Sequence, residues 1–217
     1  MELMDRSRSE LLLKKHGIDI LPLKPAKTIS EALKVAERIG YPIAMKINSP
    51  DITHKTDVGG VILNIQNHDD MVDSWERMMS SVKKGAPKAR VQGVVIQRMF
   101  PGNEARELII GVKTDAQFGH MIAFGLGGIF VEVLKDISFR LIPITKHDAS
   151  EMLGEIRGKK ILEGFRGQKP IPHELLVEIL LKVSKMVEKN PKIKEMDINP
   201  LLVDHKQAIA ADFRFFV

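Results

Sequence analysis

Apolar and polar positions alternate along the chain with two periods, and these periods predict a mixture of helices and strands. Apolar residues three or four positions apart indicate helices over 9–16, 69–84, 148–155 and 173–188. Apolar runs and strict alternation indicate strands in YPIAMKIN, VILNIQ, VQGVVIQRMF, RELIIGVKT, HMIAFGL, FVEVLKD and FRLIPI. The last four of these segments are joined by short turns, which is typical of an antiparallel meander. We therefore expect an α/β and α+β fold.

Local signals mark the ends of a further helix and the division of the chain. Thr28 and Glu31 have the spacing of a capping box, so a helix is expected to begin there and to end at the next glycine. A Pro-Gly pair at Pro101 follows directly after a predicted strand. We expect two subdomains, an α/β one over 1–100 that includes the N-terminal helix and an α+β one over 101–217.

The composition narrows the classes of function. The chain has 217 residues, 44% of them apolar, and no cysteine, so disulfides and thiolate-ligated metals are excluded. The N-terminus is too charged for a signal peptide and no apolar run has membrane-spanning length, so a cytoplasmic protein outside the membrane is expected. The net charge is +5, but lysines are spread along the chain and aromatic residues make up only 5%. Nucleic-acid binding is therefore not expected.

Two glycine-containing segments do not fit the familiar phosphate-binding loops. GEIRGKK at Gly154 has one residue too few between its glycines for a P-loop. GLGGIF at Gly125 lacks the last glycine of a dinucleotide fingerprint and continues into a strand pattern. The candidate chemistry must lie in other segments.

The C-terminal segment predicts a hairpin with polar residues grouped on one face. If DHKQ forms the turn, Asn199 lies opposite Asp212, and Asp197 lies on the same face opposite Arg214. Buried polar groups need partners, and Mg²⁺ with nucleotide phosphates would supply them. An ion pair between Asp197 and Arg214 beside a capped asparagine explains the spacing equally well.

A second candidate site begins with a lysine in an apolar strand. Lys46 would find a natural partner in a phosphate group, although a lysine that extends from the strand end into solvent is commoner. The following loop, Ser49–Val61, adds Lys55 and the glycine pair Gly59 and Gly60. Glycines permit close approach of the backbone to an anion, but they also form simple turns.

Several segments together resemble a known family. YPIAMKINSPDITHKTDVGGVIL, VVIQRM, GNEARELIIGVKTDAQFGHMIAFGLGGIFVEVLKD, EMDINPLLV and AADFR are similar, in this order, to the ATP-grasp β subunit of ADP-forming acetyl-CoA synthetases. The resemblance covers nearly the whole chain and departs from the family pattern at His120, where a proline is expected. It implies an ATP-grasp fold whose two subdomains grip the nucleotide. It also implies the reversible conversion of acyl-CoA, ADP and phosphate to acid, CoA and ATP.

The resemblance also implies how the nucleotide is held. Lys46 and the Lys55–Gly60 loop would contact the phosphates of ATP or ADP. The main chain from Gln97 to Met99 would contact adenine, and Glu107 would bind the ribose.

Metal binding and catalysis are implied at two further places. Asn199 and Asp212 would hold Mg²⁺, in agreement with the pairing expected from the hairpin. Asp197 would lie near the phosphoryl acceptor. His54 would accept a phosphoryl group and pass it to ADP, because neutral imidazole is a good nucleophile near pH 7. Lys55 would stabilise the transferred charge.

The chain lacks a recognisable CoA-binding fingerprint, so the resemblance implies a partner. This α subunit would carry the CoA-binding domain and a phosphohistidine, in an α2β2 heterotetramer. A C-terminal piece of a fused enzyme would have much the same sequence. A non-catalytic ATP-grasp-like module that senses a ligand or supports an acyltransferase stays open as the alternative.

Overall fold

The chain forms two compact units, and each has its own sheet and core. The residues that the computed structural model describes are 1–52, 54–101, 105–128, 136–164 and 167–217. The smaller unit is Leu21–Pro101, and the larger unit combines Met1–Ile20 with Gly102–Val217.

The smaller unit is a four-stranded sheet with helices on one face. Its elements are β2 (Leu23–Ala26), α2 (Ile29–Ile39), β3 (Ile43–Asn48), β4 (Val61–Ile65), α3 (His68–Gly85) and β5 (Gly93–Arg98). The strand order is β2-β5-β3-β4, and the strands pair antiparallel. Alternate residues of β3 and β5, such as Met45 and Ile96, are fully buried against the helices. The other face of these strands carries Lys46 and Gln97.

Helix α2 begins and ends where the sequence predicts. The Thr28 side chain accepts the Glu31 N–H at 3.2 Å, and Gly40 follows the helix with a φ of 82°. The Glu31 carboxylate accepts the Lys27 N–H at 2.7 Å instead of the Thr28 N–H. The reciprocal bond of a capping box is thus replaced by a bond one residue earlier.

The larger unit is a seven-stranded sheet covered on one face by helices. Its elements are α1 (Arg6–Lys15), β1 (Asp19–Ile20), β6 (Arg106–Asp115), β7 (Gly119–Leu126), β8 (Ile137–Leu141), α4 (Lys146–Glu155), α5 (His173–Glu188), β9 (Glu195–Val203), β10 (Ala208–Ala210) and β11 (Phe213–Phe216). The strand order is β1-β10-β9-β6-β7-β8, with β11 also paired to β9. The antiparallel β6-β7-β8 arrangement agrees with the expected meander.

The N-terminal segment does not belong to the unit in which the sequence analysis places it. Leu13 and Ile18 lie in the core of the larger unit, and β1 pairs in parallel with β10. Parallel pairing joins segments nearly two hundred residues apart, so no local pattern predicts it. The expected strand FVEVLKD lies almost entirely outside the described residues. Among the described residues, no helix is long and apolar enough to cross a bilayer.

Candidate functional site

The polar face of the smaller sheet is centred on a lysine and a buried glutamine. The Lys46 ammonium donates to Oε1 of Gln97 at 2.8 Å, across neighbouring strands β3 and β5. Gln97 is only 3% exposed, whereas Lys46 is half-buried. The pair therefore fixes a positive charge on the face that carries no helix.

The loop after β3 is anchored by an aspartate and presents an exposed histidine. Asp51 accepts three bonds from Arg90, through the main-chain N–H, Nε and Nη2, at 2.8 to 3.0 Å. The side-chain bond from Arg90 is the main reason why the pKa of Asp51 is lowered to about 2. His54 lies three residues further on and is exposed. The loop thus has a fixed base and an accessible imidazole.

The glycine pair shapes this loop from within. Gly59 has a φ of 68°, and its N–H donates to Thr56, while the Gly60 N–H donates to the Lys55 carbonyl at 2.7 Å. A Cβ on Gly60 would meet Ile47 Cγ2 at 2.6 Å and the Lys55 carbonyl oxygen at 2.9 Å. Both N–H groups are used inside the loop, so a phosphate contact through them is not supported. The glycines are instead required by the turn and its packing.

The main chain expected to contact adenine is partly occupied by other bonds. The Arg98 N–H donates to the Pro22 carbonyl at 3.0 Å, and the Met99 N–H donates to the Pro42 carbonyl at 3.1 Å. A base bound here would therefore have to use carbonyl groups of the stretch or N–H groups outside these two residues.

The C-terminal hairpin has the register that the sequence predicts. The Asn199 N–H donates to the Asp212 carbonyl at 3.1 Å, and Arg214 lies opposite Asp197. The second strand is divided into β10 and β11, because the chain bends at Ala211 and Asp212. The expected pairing of Asn199 with Asp212 is confirmed.

A β-bulge lies at the same place. Leu108 pairs with Leu201 and Ile110 with Ile198, so two residues of β9, Asn199 and Pro200, lie opposite one residue of β6. Bulges change the direction of side chains and occur next to functional sites. The bulge thus includes Asn199, one of the two candidate metal ligands.

Several charged side chains lie close to this bulge. Burial raises the pKa of Asp197, Arg214 opposes the rise, and the nearby carboxylates of Asp212 and Glu195 add to it. In the described part of the chain, no ion pair or hydrogen bond joins the Asp197 and Arg214 side chains. The simple ion-pair interpretation of the hairpin is therefore not what the geometry shows.

Asp212 has a partner that the sequence analysis missed. Arg6 Nη1 lies 3.4 Å from Asp212 Oδ1, and the guanidinium lies 4.5 Å from the centre of the Phe213 ring. Oδ1 also accepts the Phe213 N–H at 3.0 Å. No sequence signal could identify a contact between residues 206 positions apart.

Glu107 lies on the same open face of the larger sheet. Its side chain is exposed, and a Cβ on Gly128 would come within 2.5 Å of its Oε2. Gly128 has a φ of 61°, so this position favours glycine for its conformation. The carboxylate therefore rests against a bare stretch of backbone beside a cavity of about 400 Å³.

The donor set fits a magnesium ion that is shared with phosphates. The donor set has one amide, Asn199 on β9, and one carboxylate, Asp212 in the bend opposite it. Mg²⁺ commonly takes few protein oxygens in addition to phosphate oxygens. Over the residues that the structure describes, no cluster of three or more His, Cys, Asp or Glu side chains could hold a metal. The candidate site thus offers only two protein ligands among the described residues.

Comparisons with known proteins point to one group. A family model described as an ATP-grasp domain matches residues 1–217. The β subunit of acetate–CoA ligase [ADP-forming] II from Pyrococcus furiosus is 49% identical over 210 residues, which are 95% of this chain and 88% of that protein. Acetate–CoA ligase [ADP-forming] I from Archaeoglobus fulgidus is 45% identical over 203 residues, which are 94% of this chain but only 29% of that longer protein.

Solved structures of acetyl-coenzyme A synthetases also match this chain. Acetyl-coenzyme A synthetase 1 from Ca. Korarchaeum cryptofilum, in complex with coenzyme A and Ca-AMPCP, matches with a TM-score of 0.87 at 34% identity, over 97% of this chain and 91% of that chain. The same protein with coenzyme A and Mg-AMPPCP has a phosphohistidine segment that points towards the nucleotide binding site. It matches with a TM-score of 0.81 at 31% identity, over 99% of this chain and 92% of that chain.

Proposed function

The chain belongs to the ATP-grasp family, among the β subunits of ADP-forming acetate–CoA ligases, and from this premise we propose that it is the nucleotide-handling part of such a ligase. The proposed reaction converts acyl-CoA, ADP and phosphate to acid, CoA and ATP, and it is reversible. The observation that carries the proposal is the bonded Asn199–Asp212 pair beside the partly buried Asp197 on an open sheet face.

Each unit contributes nucleotide-binding groups of its own open sheet face. Lys46, fixed by Gln97, and Lys55 attract the phosphates. Glu107 accepts hydrogen bonds from the ribose hydroxyls, since its exposed carboxylate lies against Gly128. Main-chain carbonyl groups in the stretch that ends at Met99 accept a hydrogen bond from the exocyclic amine of adenine.

Asn199 and Asp212 hold Mg²⁺ together with the phosphates. The ion, when bound, neutralises charge on the transferring phosphoryl group. In the free chain the Asp212 carboxylate is oriented by Arg6 and by the Phe213 N–H, so it is fixed before the ion arrives.

His54 is the phosphoryl carrier of this chain. The exposed imidazole attacks the phosphoryl group of a partner-subunit phosphohistidine, so one P–N bond breaks and one forms. An ADP oxygen then attacks, the P–N bond at His54 breaks and a P–O bond forms. No oxidant is required, and the imidazole is regenerated. Lys55 stabilises the charge in transfer, and Asp197 orients the acceptor imidazole.

The relatives named as β subunits imply a partner chain. We assign to this α subunit the CoA-binding domain and the first phosphohistidine, in an α2β2 assembly. The Ser49–Val61 loop suits a segment that must meet two sites, because its base is fixed by Asp51 while His54 is exposed.

The test is to replace His54 by alanine in the complex with the partner and to supply labelled ATP. Acid-labile label should disappear from the β chain and ATP formation should fall at least a thousandfold, in the range expected when a nucleophile is removed. His68→Ala is the matched control, since His68 is also exposed and lies in the same unit. Full turnover in the His54 variant would mean that His54 is only a loop residue.

A further inference from the structure

Another cavity of the larger unit lies beside α1, and it is surrounded by positive charge. The cavity has a volume of about 430 Å³ and lies between α1 and the turn that follows α5. Arg8 and Lys15 line it from the helix, and Lys189 and Lys192 line it from the turn. Of the described residues that line this cavity, none is an aspartate or a glutamate. Four cations therefore surround one cavity.

The α1 wall combines its two cations with apolar surface. Arg8, Leu11, Leu12 and Lys15 all line the cavity, and each lies three or four positions from the next on the helix face that they share. Leu13, by contrast, lies in the core. Leu12 is half-buried and Leu11 is 69% exposed. The helix thus presents an apolar strip between a cation at each end.

The opposite wall is a turn whose backbone is held in place. The Asn190 N–H donates to the Val187 carbonyl at 2.9 Å, and its Nδ2 donates to the Met186 carbonyl at 2.7 Å. The Ile193 N–H closes the turn by donating to the Asn190 carbonyl at 3.0 Å, and Ile193 is only 1% exposed. The two lysines of this wall are therefore carried by backbone that needs no ligand to fix it.

Folding alone does not account for all four cations. Lys15 and Lys189 lie at the C-terminal ends of α1 and α5, where a positive charge is favourable. Arg8 lies in the first turn of α1, where a positive charge is unfavourable, and Lys192 belongs to neither helix. Asp5, the carboxylate nearest to Arg8 along the chain, caps α1 and accepts the Arg8 N–H at 3.2 Å.

The charges of these four side chains are not balanced by partners. Within the described ranges, none of them forms an ion pair or a side-chain hydrogen bond. Like charges around one cavity repel each other, so the arrangement lowers stability until an anion enters. The cavity is therefore suited to a negatively charged ligand.

We propose that this cavity binds a small soluble amphiphile in which a phosphate group is joined to a short apolar chain. A phosphate ester carries about two negative charges and three acceptor oxygens, which suits several cations better than a single carboxylate does. Arg8 can bind two of these oxygens at once, and the apolar chain lies along Leu11 and Leu12. The cavity volume lies in the range of small-molecule sites. The inference does not depend on the proposed function, because it uses none of the residues assigned there.

The test is a calorimetric titration of octyl phosphate, below its micelle concentration, into the full chain. Mg-ADP is present in excess, so that the candidate nucleotide site is filled. Arg8→Glu and Lys192→Glu should each raise the Kd at least tenfold. Lys160→Glu is the matched control, since Lys160 is also exposed, lies in the same unit and gives the same change in net charge. It should leave the Kd unchanged.

Two further probes test the two halves of the ligand separately. Leu11→Ser should raise the Kd for octyl phosphate at least threefold and leave the Kd for inorganic phosphate unchanged. Its melting temperature should equal that of the wild type, because Leu11 is exposed. Octanoate should bind the wild-type chain at least tenfold more weakly than octyl phosphate. Equal binding of the two would overturn the assignment of a phosphate.

The remaining outcomes decide whether the cavity is the site and whether the ligand is soluble. An unchanged Kd in both charge-reversal variants would overturn the proposal, as would loss of octyl phosphate binding on addition of Mg-ADP, which would assign the probe to the nucleotide site. The chain should stay in the supernatant with vesicles of phosphatidylcholine and phosphatidic acid. Cosedimentation that is lost in Lys192→Glu would overturn the soluble ligand and assign a lipid headgroup instead.

Discussion

Replacing Gln97 by leucine removes the acceptor that fixes Lys46. The bond from the ammonium to Oε1 measures 2.8 Å, and its acceptor is 3% exposed. Hydrogen bonds to charged groups contribute about 1.5–3 kcal/mol. Leucine has a similar volume, so little of the effect should come from a cavity. We therefore expect the smaller unit to lose about 2 kcal/mol of unfolding free energy.

The loss is measurable by urea denaturation. With a slope of about 2 kcal/mol per molar urea, the midpoint should fall by roughly 1 M. The affinity for Mg-ADP, measured by titration calorimetry, should also fall, because the Lys46 ammonium loses its bond to Gln97 and with it part of its fixed position. Gln92→Leu is the control, since Gln92 is exposed just before β5, and it should change neither quantity.

A second variant separates stability from binding. Gln97→Glu keeps an acceptor for the ammonium, so the urea midpoint should stay near that of the wild type. The added carboxylate repels phosphates, so Mg-ADP affinity should fall. If Gln97→Leu unfolds within 0.2 M of the wild-type midpoint, which corresponds to about 0.4 kcal/mol, the reasoning about this bond is refuted.

Three further outcomes follow from the geometry. Glu107→Ala should weaken nucleotide binding about tenfold by loss of a charged hydrogen bond, and unchanged affinity in calorimetry would remove the ribose assignment. Asp212→Ala should abolish the dependence of ADP affinity on Mg²⁺ without unfolding the chain, and an unaltered Mg²⁺ titration would remove the metal assignment. The pKa of Asp51 is lowered to about 2 by Arg90, against an ordinary value near 3.9. Its contribution to stability is therefore complete above pH 4 and lost as the pH falls towards 2, so the difference in melting temperature between wild type and Asp51→Asn should shrink over that window. A difference that is constant from pH 6 to pH 2 would contradict this.

The sequence by itself determined the local structure and much of the candidate site. Thr28 and Gly40 fixed the ends of α2, because capping depends on residues a few positions apart. The hairpin register, and with it the pairing of Asn199 with Asp212, followed from the turn length and the two-residue period of a strand. Both are short-range rules, so the linear order of residues was enough.

Only the tertiary structure decided which distant groups meet. The contact of Arg6 with Asp212, the bond between Lys46 and Gln97, and the placement of α1 in the larger unit each join residues far apart in the chain. Such contacts depend on how whole sheets and helices pack, and many residues of the same type could have filled those positions.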